Sequence, residues 1–157
     1  PDSPTKIKMC NVGVNLAIKC LRYDFIGTNP DDSMIEMANI HVPTTWRHIM
    51  QDKNVIPVLF QVFKSSRPVS SQEFPPYVAK IMELFSLFAI VRRSIFYPAE
   101  KERLEFLKRM LTGACEILIS KHGLADPDVY HQFCRFLGKL KSNYQLTELV
   151  NTDGYKK

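Results

Sequence analysis

Ten of the fifteen residues at 77–91 are large and apolar: Tyr77, Val78, Ile81, Met82, Leu84, Phe85, Leu87, Phe88, Ile90 and Val91. At helical spacing they wrap most of the circumference, and a helix of that kind has to be covered on several sides. Burying ten such side chains contributes roughly 15–30 kcal/mol, while ordering fifteen residues costs about 22 kcal/mol. The two nearly cancel, so one helical hairpin built on this segment is not stable alone. Neighbouring helices must supply the difference.

The flanking sequence offers such neighbours. Ser3-Pro4 reads as an N-cap with proline in the first turn, and Ile7, Cys10, Val14, Leu16, Ala17, Cys20 and Leu21 recur at helical spacing, predicting a helix over 4–22. Residues 24–42 break the pattern with turn chemistry around Gly27, Asn29 and Pro30 and are expected to form a long loop. A short helix carrying Trp46 is expected at 44–51. Another follows at 54–66, with Asn54 as its cap and Ile56, Leu59, Phe60 and Phe63 as its stripe. The apolar helix itself is placed at 75–93. Leu104, Leu107, Leu111, Ala114 and Leu118 then mark a helix over 99–121, closed by Lys121-His122-Gly123 with the glycine as C-cap. Asp126-Pro127-Asp128 caps the last, at 127–142, with Val129, Phe133, Phe136, Leu137 and Leu140 as its core face. Residues 145–150 are expected to add a further helical turn.

The helices at 54–93 and 99–142 form two hairpins whose starts lie about 45 residues apart, the interval of a HEAT-type repeat. No strand pattern of comparable length competes. The expected fold is all-α, a helical-hairpin solenoid (an α-α superhelix). Residues 1–157 are taken as one repeat segment, and the opening without Met and the polar ending lead us to expect a piece of a longer array.

Composition narrows the function classes. With 45% hydrophobic and 24% charged residues the chain is neither disordered nor membrane-like. Its longest apolar stretch, 84–91, brackets a serine and falls far short of the ~20 residues needed to span a bilayer. Cys10, Cys20, Cys115 and Cys134 lack any short paired spacing and read as reduced, packed thiols. His131 and Cys134 sit three apart, but no second pair joins them to complete a metal site. No phosphate-cradling glycine loop, dinucleotide fingerprint or zinc-protease motif occurs, and no oxyanion loop frames a cysteine. The chain is therefore read as a non-enzyme without catalytic, cofactor-binding or metal-ligating residues.

A net charge of +5 permits attraction to acidic partners without identifying one. The cations Arg92, Arg93, Lys101, Lys108 and Arg109 are the candidate partner-binding residues, chosen on charge alone. Glu100, Glu102 and Glu105 are interleaved with them, and Lys101–Glu105 and Glu105–Arg109 have the spacing of intrahelical pairs. A solvated mixed-charge face is the preferred reading over a phosphate-tracking strip.

Several runs carry a resemblance: CLRYDFIGT at 20–28, VPTTWR at 42–47, VRRSIF at 91–96, YHQFCR at 130–135 and LKSNYQLTELV at 140–150. In order and at similar spacing they resemble an internal region of the exportins, karyopherins of the importin-β superfamily. The likeness covers most of the chain, and its last run is the most specific.

The resemblance implies a HEAT-repeat nuclear transport receptor without catalytic residues. Its partners would be the GTP-bound small GTPase Ran, cargo proteins and phenylalanine-glycine nucleoporins, and it would act in nucleus, cytoplasm and nuclear pore complex. No Ran-contact residue can be carried onto a numbered position. The rival readings are a general HEAT scaffold for protein–protein interaction and a basic helical nucleic-acid-binding domain.

Overall fold

The computed structural model describes residues 3–23, 39–70 and 73–143. They form six α-helices: α1 (Pro4–Arg22), α2 (Arg47–Gln51), α3 (Val55–Ser65), α4 (Pro76–Ala89), α5 (Glu100–Ser120) and α6 (Pro127–Asn143). Single 3₁₀ turns at Thr44–Trp46 and Arg93–Phe96 introduce α2 and α5. Among the described residues strand pairing is limited to two isolated bridges. The fold is all-α, as expected for a section of a helical repeat. The expected loop at 24–42 falls outside the described residues up to 38, as does the turn expected at 145–150.

The apolar helix is the centre of the molecule. Every residue of α4 from Leu84 to Ala89 is buried, together with Tyr77, Val78, Ile81 and Met82. Helices α1 and α6 pack along it to form one layer, and α3 and α5 pack on each other in a second. Aromatic rings join the layers. Phe60 of α3 stacks on Phe85 of α4 with centroids 4.0 Å apart, and Phe85 reaches Phe136 of α6 at 5.7 Å. Phe106 of α5 completes the seam against Phe88 and Phe96.

Local chemistry sets the helix ends. Ser3 Oγ accepts the Lys6 amide at 3.3 Å, capping α1. Asp126 caps α6 by accepting the amides of Asp128 and Val129, and its other oxygen accepts the Phe74 amide at 2.8 Å. One buried carboxylate thus ties the segment entering α4 to the start of α6.

Three expectations are corrected. Helix α4 stops at Ala89 rather than reaching 93, because Ile90 and Arg92 turn their backbones toward Ile40. The Ile40 amide donates to Ile90 O at 2.8 Å, and the Arg92 amide to Ile40 O at 3.1 Å. Asn54 stands before α3 but its side chain caps nothing; Asp52 Oδ1 instead accepts the Asn54 amide. The left-handed residue ending α5 is Lys121, with φ 54°, ahead of a second left-handed position at Gly123.

Gly113 sits where α5 meets α3. A Cβ there would lie 2.3 Å from the Phe60 ring, which Phe85 already holds. Replacing glycine by alanine inside a helix ordinarily gains about 0.5–1 kcal/mol, whereas overpacking costs about 1–3 kcal/mol. The clash dominates, so Gly113→Ala is expected to destabilise the chain by about 1–2 kcal/mol in urea denaturation; increased stability would mean that Phe60 has room to retreat. Asp126→Ala strips three amides of their acceptor and is expected to cost about 2–4 kcal/mol by the same measurement.

Candidate protein-interaction surface

The five candidate cations divide into two groups. Arg92, Arg93 and Lys101 gather at the α4–α5 turn and are exposed. Arg92 Nη1 donates to His41 Nδ1 at 3.2 Å, and Arg93 grips Glu100 through Nε and Nη2 at 3.3 and 3.0 Å. Lys101 makes no ion pair or hydrogen bond with a described residue. Lys108 and Arg109 lie farther along α5, half-buried, on the flank turned toward α3. The five therefore do not form one continuous strip.

Lys108 and Arg109 line a groove of about 510 Å³ between α3 and α5. Its floor is the Phe60 ring lying against Gly113, so the groove is shaped by the glycine that lets the two helices approach. Pro57, Gln61 and Lys64 form the α3 wall, while Glu105, Thr112 and Glu116 join the two cations on α5. Lys64 and Glu116 pair across it. The expected pairs Lys101–Glu105 and Glu105–Arg109 are not formed among the described residues. Arg109 turns its guanidinium inward instead, with Nε and Nη2 both buried and without a hydrogen-bond partner. Sequence reading assigned Phe60 to the core stripe and missed the groove. The signal available was a glycine inside an otherwise well-populated helix.

The cysteines and the histidine weighed as metal ligands lie on two helices. Cys115 is half-buried on α5, and His131 and Cys134 are exposed on α6. Cys134 is hydrogen-bonded to the Tyr130 side chain, which raises the Tyr130 pKa above its ordinary value. Among the described residues no three His, Cys, Asp or Glu side chains gather as a metal site. No described helix is long and apolar enough to cross a membrane. None of the four cysteines forms a disulfide.

His122 occupies the junction between the C-terminal ends of α3 and α5. Phe63 and Phe74 meet its ring edge-on at 5.5 and 5.2 Å. Its Nε2 lies 3.2 Å from Phe63 O and 3.3 Å from Ser66 Oγ. Burial lowers its pKa, the Phe63 carbonyl works in the opposite direction, and the Arg67 charge lowers it further.

Stacked amphipathic helices around one fully covered helix, with charged and grooved outer surfaces and no catalytic cluster among the described residues, define a section of an α-helical repeat protein. The chain is 39% identical to Exportin-7-B of Xenopus laevis over 142 residues, covering 90% of this chain and 12% of that protein. It is 38% identical to Ran-binding protein 16 of Drosophila melanogaster and 37% identical to Ran-binding protein 17 of Homo sapiens over similar lengths. The chain thus spans about an eighth of the length of the curated relatives it matches. No family model matches it, and no solved structure does. These likenesses are consistent with a fragment of an exportin-7 or Ran-binding protein 16/17 type of protein.

The lowered His122 pKa fixes the sign of one pH effect. The unfolded histidine binds a proton more readily than the folded one, so its contribution is intact above its ordinary pKa of about 6.5 and is lost as pH falls below it. Urea midpoints are expected to drop between about pH 7 and 5, and His122→Gln should flatten that slope.

Proposed function

We propose that this chain serves as one section of a nuclear transport receptor and carries protein-binding surface for Ran-GTP-dependent passage through the nuclear pore. The observation that carries this reading is the 39% identity to Exportin-7-B, extended over 90% of the chain. The names of the Ran-binding protein relatives support a Ran-type GTPase as a partner of the whole receptor. Cargo proteins and phenylalanine-glycine nucleoporins are the remaining partners in this reading, and the receptor shuttles between nucleus and cytoplasm. The work done is binding rather than catalysis.

The physical form suits that task. Apolar side chains remain exposed on α1, where Met9, Val12 and Leu16 are each more than 60% open to solvent. Others stand on α5, at Leu104, Leu118 and Ile119. Helical repeats stack through such faces, each touching its immediate neighbours, and the resulting array can adjust its curvature around a ligand. The mixed charge of the surface favours protein partners over a polyanion. Arg93 and Lys64 are matched by Glu100 and Glu116, which interrupts the run of cations among the described residues that a phosphate backbone would follow.

A chimera tests the reading. When this chain replaces the matching 142 residues of Xenopus Exportin-7-B, the folded protein is expected to be retained on GTP-loaded Ran and released by GDP-loaded Ran. It should also leave nuclei of permeabilised cells in a Ran-dependent manner. A folded chimera that ignores the nucleotide state would refute the assignment.

A further inference from the structure

We propose that the α3–α5 groove docks a peptide segment bearing a single carboxylate beside an apolar side chain, with the carboxylate held on the Arg109 guanidinium. The inference rests on the groove itself and stands apart from the transport reading.

The first observation is the state of Arg109. Its Nε and Nη2 are the two donors that share one edge of the guanidinium, the edge that meets a carboxylate through two parallel hydrogen bonds. Both are buried and unpartnered. A desolvated cationic donor without an acceptor is unfavourable, and supplying the acceptor recovers that cost. The internal candidate is Glu105, four residues earlier on the same helix, yet it does not take the edge. The fork is therefore unclaimed from within the described chain.

The second observation is what surrounds it. The groove, about 510 Å³, is in the size range of sites that hold small ligands or short peptide segments. Its apolar floor is Phe60, flanked by Pro57, and Phe85 fixes that ring from behind. Gln61, Lys64 and Glu116 edge the groove. Because the Arg109 edge has no solvent contact in this structure, docking includes a side-chain rearrangement that opens it, of the kind long exposed side chains make quickly.

Charge selects the ligand further. Lys64 pairs with Glu116, and among the remaining charged residues lining the groove the cations Lys108 and Arg109 outnumber the acid Glu105 by one. That balance favours one negative charge. Glu105 and Glu116 work against a doubly charged phosphate and against a run of acidic residues, while the two cations repel a basic peptide.

The test uses the 157-residue chain and three blocked, fluorescein-labelled hexapeptides. They share a leucine-flanked central residue that is glutamate, glutamine or phosphoserine. Anisotropy titration is expected to show the glutamate peptide binding at least about tenfold more tightly than the glutamine peptide. In NMR spectra it should shift the Arg109 Nε–H and the Phe60 ring. Arg109→Lys keeps the charge but cannot form the fork, and is expected to lose about tenfold in affinity with an unchanged thermal midpoint. Equal binding of the glutamate and glutamine peptides would overturn the proposal, as would full affinity in Arg109→Lys. Shifts confined to residues outside the groove, or tighter binding of the phosphoserine peptide, would also overturn it.

Discussion

The contact on which the rest depends is the stack of Phe60 on Phe85, because it joins the two helix layers at the centre of the core. Phe85 belongs to a helix that cannot meet water on any broad face, and its ring is shared between α3 on one side and Phe136 of α6 on another. Removing either neighbour would expose large apolar surface on α4, a loss that no local hydrogen bond can offset. The layers are thus mutually required. α1 adds to the same centre through apolar burial of Val14, Ile18 and Leu21, and through polar ties at its edge, where Lys80 donates to Asn15 and Arg22 pairs with Glu83 at 2.6 Å.

What could be read from sequence was what local chemistry decides. Helix α1 spans the expected residues because Ser3 and Pro4 define its start by capping and by a preset backbone angle. Asp126 was legible for the same reason. The end of α4 was not, since it is set by Ile40, a residue fifty positions away that draws Ile90 and Arg92 out of the helix. Periodicity over 77–91 carries no trace of that pairing. Asn54 shows the opposite failure: a residue of capping type makes no cap bond, while Asp52 accepts its amide in a local turn.

The candidate surface divides along the same line. Counting charges selected Arg92, Arg93, Lys101, Lys108 and Arg109, but charge counts say nothing of which cations find acids. Arg93 does, through Glu100, and such an exposed pair adds little stability while cancelling the field that drew attention to it. Arg109 does not, although Glu105 has the favourable spacing. Which rotamer a long side chain adopts is decided by the space beside it, and that space exists only because Gly113 lets Phe60 lie against α5.

One residue without a side chain therefore shapes both core and surface. Gly113 brings α3 close to α5, the approach places Phe60 under the groove, and Phe85 behind it transmits the position of α4. The two walls of the groove belong to helices in one layer, while its floor is fixed by a helix in the other. Any change in the tilt of α3 relative to α5 alters the width of the groove and the environment of Arg109 together. In a helical array curvature changes by such small rotations between neighbours. A ligand seated between α3 and α5 would favour the tilt that best satisfies the guanidinium, and the tilt would in turn set the affinity for that ligand, because the coupling of binding and conformation is reciprocal.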